Sequence, residues 1–175
     1  MRKIVLTYGL IAFGIMFLMM HVPLAFASEK YLEYGMVIGY TSMVLAFTLV
    51  FFGTRSYRDN IQHGVISFGR AFGVGILISL VASVLYVIVW MIIEHYIVPD
   101  FYEQYGRYAI ESEKASGASA TQLAATQSEL NSMMEMVKNP VVKFLFTLLE
   151  PLPVGLLATL VTAFIVKRKA VPAIQ

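Results

Sequence analysis

Residues 144–169 read FLFTLLEPLPVGLLATLVTAFIVKRK. From Phe144 to Val166 the only charge is Glu150, followed by Pro151 and Pro153, and Lys167, Arg168 and Lys169 close the run. A helix rises about 1.5 Å per residue, so about 20 apolar residues span a hydrocarbon core about 30 Å thick. The run is long enough to cross a bilayer, with one acid held in an apolar solvent.

Three more runs of the same kind precede it, at residues 4–26, 34–53 and 72–93. The 175-residue chain is 58% hydrophobic and 14% charged, against about 45–50% and about 25% for soluble domains. Composition and long uncharged runs together place it in the all-α membrane class, a four-helix bundle occupying residues 1–175 as a single membrane domain. Arg2, Lys3 and the small residues around Ala27 also suit a secretory signal peptide. The length of the first run favours an uncleaved span.

Small residues mark where helices can approach closely. Gly35 and Gly39 are spaced by four in the second run. Gly75, Ser79 and Ser83 recur every four residues on one face of the third, and Gly155 lies in the fourth. Thr41, Ser42 and Thr48 are expected to bond back to their own helix. The connection 54–70 is basic, with a turn expected at His63-Gly64 and a short interfacial helix over 65–72. Glu94-His95-Tyr96 is expected to mark the exit of the third run into water.

Residues 99–140 form the one sizeable polar insertion. Asp100 with Glu103 and Ser119 with Gln122 have capping-box spacing. Gly117 suits a helix end, and Asn139-Pro140 a stop. Leu123, Leu130, Met134 and Val137 recur on one helix face. The segment reads as an α-helical hairpin.

The charges set an orientation. Arg2, Lys3, Arg55, Arg58, Arg70, Lys167, Arg168 and Lys169 lie at the two termini and the second connection, opposed only by Asp59. Lys/Arg bias marks the cytoplasmic side. Both termini are therefore expected in the cytoplasm and the hairpin outside, in a cytoplasmic (inner) membrane. Arg55, Arg58, Arg70, Lys167, Arg168 and Lys169 are candidate contacts for lipid headgroups. The net charge of +2 gives no reason to expect nucleic acid.

Chemistry motifs are absent. The sequence contains no P-loop, dinucleotide fingerprint, HExxH or GxSxG pattern, and its lack of cysteine removes thiolate ligands and nucleophiles. No catalytic residue, metal or cofactor is expected, and the chain is not expected to be an enzyme. The notable polar groups are those in apolar runs. Glu150 lies about 24 Å from the basic end of its run and His21 about 25 Å from the start of the first, so the two reach similar heights. His21, Glu150, Glu94 and His95 form the candidate intramembrane polar site. His21 and Glu150 could together hold a proton or cation. Alternatively each snorkels to water, or Glu150 accepts a bond from a helix terminus or an outer-end tyrosine such as Tyr86.

Several strings resemble a family of small bacterial membrane proteins known as domain of unknown function 4199. They include Gly39-Tyr40-Thr41-Ser42-Met43, Ser56-Tyr57-Arg58, Ile66-Ser67-Phe68-Gly69-Arg70-Ala71-Phe72 and Tyr86-Val87-Ile88-Val89-Trp90. Pro99-Asp100-Phe101 and Glu150-Pro151-Leu152-Pro153-Val154-Gly155 complete the set. The resemblance covers nearly the whole chain. It implies a multi-span membrane protein and supplies no catalytic, cofactor or partner residues. The expected role is structural or accessory, through the lipid bilayer, a membrane-protein partner or a second copy of the chain. The alternative is a small proton- or cation-linked transporter using His21 and Glu150.

Overall fold

A backbone in hydrocarbon must satisfy its own N–H and C=O groups, and helices do this within one segment. The computed structural model describes residues 1–25 and 30–168, with side chains for 1–20 and 34–168. Among them are seven helices and no strand: α1 (Arg2–Ala25), α2 (Lys30–Ile61), α3 (Phe68–Tyr96), α4 (Phe101–Ala115), α5 (Ala120–Val137), α6 (Pro140–Leu148) and α7 (Pro151–Val166). Four stretches are long and apolar enough to cross a membrane: Arg2–Met20, Tyr34–Ile61, Phe68–Tyr96 and Pro140–Val166. The protein is all-α. It divides into one unit of residues 1–86 with 149–175 and another of 87–148.

In the first unit α1, α2, most of α3, and α7 share a core. Its buried positions follow helical spacing: Val5, Ala12 and Met16 on α1; Met43, Ala46, Phe47 and Val50 on α2; Ala71, Val74, Ile78 and Ala82 on α3; Thr159, Thr162, Ala163 and Val166 on α7. The opposite faces expose large apolar side chains such as Leu10, Val37, Val44, Leu157, Val161 and Phe164. Soluble monomers rarely leave so much apolar surface open, whereas helices surrounded by lipid do so at no cost.

The helix boundaries differ from the apolar runs. Helix α2 continues eight residues past Gly53, so Arg55 and Arg58 are helical and not in a loop. Asp59 stabilises this polar extension, lying 2.6 Å from Arg58 Nε and 3.6 Å from Arg55 Nε. The turn falls at His63 (φ 50°) and Gly64 (φ 85°). No helix forms over 65–67. Instead Ile66 and Arg168 exchange backbone hydrogen bonds of 3.1 and 2.9 Å, and Ser67 Oγ accepts the Arg70 N–H (3.4 Å) as α3 begins.

The second unit holds the end of α3 with α4, α5 and α6. Helices α4 and α5 meet where the lack of a side chain at Gly106 leaves room for Leu130, which is buried. Thr126 Oγ1 donates to the Glu113 carboxylate at 2.9 Å. Both capping-box bonds at Ser119 and Gln122 form. Asp100 makes no side-chain cap bond, which corrects the expectation there: its backbone (φ −89°, ψ 10°) is not in the extended conformation that aims an N-cap side chain at the first turn. At the other end of α4, Gly117 (φ 83°) donates to Lys114 O and Ala118 to Glu113 O, both at 3.1 Å. These are the two bonds of a Schellman ending.

Asn139-Pro140 starts a helix instead of only stopping one. Asn139 Oδ1 accepts from Val141 N (2.9 Å) and Val142 N (3.3 Å), and proline suits the first helical position. The fourth run therefore begins at Pro140, and it is interrupted at Leu149-Glu150. Pro151 and Pro153 explain the interruption, because neither can donate to the carbonyl four residues back.

Candidate functional site

The seam between α3 and α7 is built from small residues. A Cβ at Gly75 would lie 3.0 Å from Thr159 Cγ2 and from Val50 Cγ1. A Cβ at Gly155 would lie 3.0 Å from Ser79 Cβ and 3.1 Å from Phe47 Cζ. Ser79 Oγ donates to Gly155 O at 3.3 Å and lies 3.2 Å from Thr159 Oγ1. Ser83, one turn further along α3, is fully buried, and its hydroxyl has no hydrogen-bond partner among the described residues. Thr54 Oγ1, for which no sequence signal stands out, is in the same condition. Gly39 is buried on α2 and Gly35 half-buried. Ser42 returns its proton to Gly39 O (2.7 Å) and Thr48 to Leu45 O (2.6 Å).

Glu150 precedes α7 and is half-buried. Its Oε1 lies 4.0 Å from where a Cβ on Gly39 would be, so the carboxylate faces α2. It makes no cap bond to α7 and has no hydrogen-bond or ion-pair partner among the described residues. The Tyr86 hydroxyl, expected within its reach, instead donates to Met20 Sδ at 2.8 Å. Met20 Cε in turn lies 3.9 Å from the same Gly39 position. His21 belongs to α1, and its side chain lies outside the described residues.

Glu94 and His95 sit in the second unit. Glu94 does not mark an exit into water. It is 7% exposed and takes a 2.7 Å ion pair from Lys143 Nζ, which also lies 5.4 Å from the centroid of the Tyr102 ring. A buried carboxylate needs such a partner. Lys143 immediately precedes the apolar run that starts at Phe144, so hydropathy alone did not connect it with Glu94. His95 is exposed, its ring edge-on to Tyr96 at 4.6 Å. Among the described residues no group of three His, Asp or Glu could hold a metal ion.

Arg55, Arg58, Arg70, Lys167 and Arg168 lie at the end of α2, the start of α3 and the end of α7. Arg58 donates to the last carbonyl of α7, Val166 O, at 3.3 Å. Arg70 donates to Gln62 Oε1 at 3.1 Å, and Lys167 Nζ lies 5.0 Å from the Phe164 ring. Arg55, Arg70, Lys167 and Arg168 are exposed. Lys169 lies outside the described residues.

A family model described as "Protein of unknown function (DUF4199)" matches residues 7–168. The chain belongs to the DUF4199 family. The DUF4199 match takes in the α3–α7 seam, Glu150, and the Glu94–Lys143 pair, so these features lie inside the family region and not in an appendage. No curated protein and no solved structure matches the chain.

Proposed function

We propose that this DUF4199 protein is a multi-pass integral protein of the bacterial cytoplasmic membrane. Both termini face the cytoplasm, the α4–α5 hairpin lies outside, and the role is structural or accessory, not catalytic. The observation that carries this reading is the division of each helix in the first unit. One face is buried in the bundle, with seam hydrogen bonds between α3 and α7, and the other carries exposed large apolar side chains. Such a bundle offers lipid or another membrane helix an apolar surface. The exposed Arg55, Arg70, Lys167 and Arg168, with Lys169, would rest against anionic headgroups. The working contacts are then the bilayer and either a membrane-protein partner or a second copy of the chain.

Crosslinking within native membranes tests the role. A stoichiometric adduct with one membrane protein, or with a second copy, is expected. A second reading, proton- or cation-linked transport, is favoured by one observation, the unpartnered Glu150 carboxylate. Ion flux in proteoliposomes that Glu150→Gln abolishes, with no adduct in membranes, would replace the accessory role with transport.

A further inference from the structure

We propose that Glu150, with the Ser83 hydroxyl at the same level of the bundle, is a binding site for a monovalent cation, a proton or an alkali ion. The inference rests on the membrane reading above and does not require transport. It begins from a contrast between two acids in apolar helices. Glu94 is matched by Lys143 at 2.7 Å. Glu150 has no donor among the described residues. A carboxylate ahead of a helix normally accepts from the second or third N–H of the first turn. Here the first and third helical residues are Pro151 and Pro153, which have no N–H, and no cap bond to the second forms.

The register of the seam places a second unmatched group at the same level. Helix α3 meets α7 at Gly75 with Thr159 and at Ser79 with Gly155. Four residues forward on one helix correspond to four back on the other, so the next pair is Ser83 with Pro151, adjacent to Glu150. The Ser83 hydroxyl is wholly buried and unbonded. An unbonded hydroxyl and an unpaired carboxylate, among the described residues, at one level of the bundle are a costly arrangement unless something bridges them. Both offer oxygen lone pairs, which suits a hard cation or a shared proton. The other residues brought to this level are Met20 from α1, Gly39 from α2 and Tyr86 from α3. None is charged. His21 follows Met20 in sequence.

The test uses the full chain in lipid nanodiscs and dicyclohexylcarbodiimide, an apolar reagent for carboxylic acids. The acid's proton passes to one diimide nitrogen and its oxygen bonds to the central carbon, so the adduct is the sum of the two molecules. Peptide mapping should find the adduct on Glu150 and lose it in Glu150→Gln. If the ligand is a proton, labelling falls about tenfold per pH unit on the alkaline side of its midpoint and ignores sodium. If it is an alkali ion, sodium or potassium chloride protects Glu150, while choline chloride at equal ionic strength does not. Ser83→Ala should shift the midpoint or weaken the protection without lowering the unfolding temperature. A Ser83 that only packs would leave both unchanged and remove it from the site. No Glu150 adduct at any pH, together with wild-type thermal stability that follows that of Glu150→Gln across pH and sodium, overturns the proposal. Membrane retention through an alkaline carbonate wash tests the membrane reading separately.

Discussion

At the residue scale, the α3–α7 seam depends on absent side chains. Lipid removes most of the hydrophobic drive between helices, so close van der Waals packing and a few hydrogen bonds must hold them together. Gly155→Leu should destabilise the first unit by about 1–3 kcal/mol, since its Cβ already meets Ser79 and Phe47. Gly73→Leu is the control: it lies on α3 two residues from Gly75, yet a Cβ there meets nothing within 4 Å. Thermal unfolding in one detergent should separate the two variants. The Glu94–Lys143 pair calls for a double-mutant cycle. Lys143→Met leaves a buried carboxylate alone and should cost about 3–5 kcal/mol, whereas Glu94→Leu with Lys143→Met should recover most of it. A double-variant loss equal to the sum of the two single-variant losses would show that the pair contributes no coupling of its own.

At the scale of elements, what the sequence made legible depended on the range of the signal. Four apolar runs were enough to give four candidate spans, because each signal is local and strong. Caps were legible where one residue decides the geometry, as at Ser119 and Gly117. They misled at Asp100, where the preceding chain leaves the backbone outside the extended region. The α2 extension was hidden because hydropathy falls at Thr54 while helical bonding continues. The partner of Glu94 was hidden because Lys143 is 49 positions away and no periodicity links them. Glu150 could be placed in an apolar run, but only the structure shows that it turns toward Gly39. The second capping box gives a direct test. Ser119→Ala removes the bond accepted from Gln122 N and the hydroxyl's bond to Gln122 Oε1, leaving only the backbone N–H on that side chain, and should cost about 1 kcal/mol. In hydrogen exchange, amides of the first turn of α5 should lose protection ahead of those near Leu130. Unchanged protection at residues 120–123 would mean that the box does not hold the helix end.

At the scale of the whole molecule, the remaining variable is which face of the bilayer each connection meets. Arg55, Arg58, Arg70, Lys167 and Arg168 converge within the first unit: Arg58 bonds the end of α7, and Ile66 pairs with Arg168. One connection and the chain beyond α7 are thus tied together, as they must be if both lie on one side of a membrane. The orientation proposed above, from Lys/Arg enrichment, puts that side in the cytoplasm. The natural sequence has no cysteine, so a single introduced thiol reports its own position. A maleimide that cannot cross membranes should label Ser116→Cys, at the tip of the hairpin, in intact spheroplasts. It should label Ser56→Cys, on the polar extension of α2, only after permeabilisation. Labelling of both before permeabilisation would place the two sites on one side and break the four-span arrangement. Labelling of Ser56→Cys alone would keep the spans and invert them, moving the arginines outside and the hairpin into the cytoplasm.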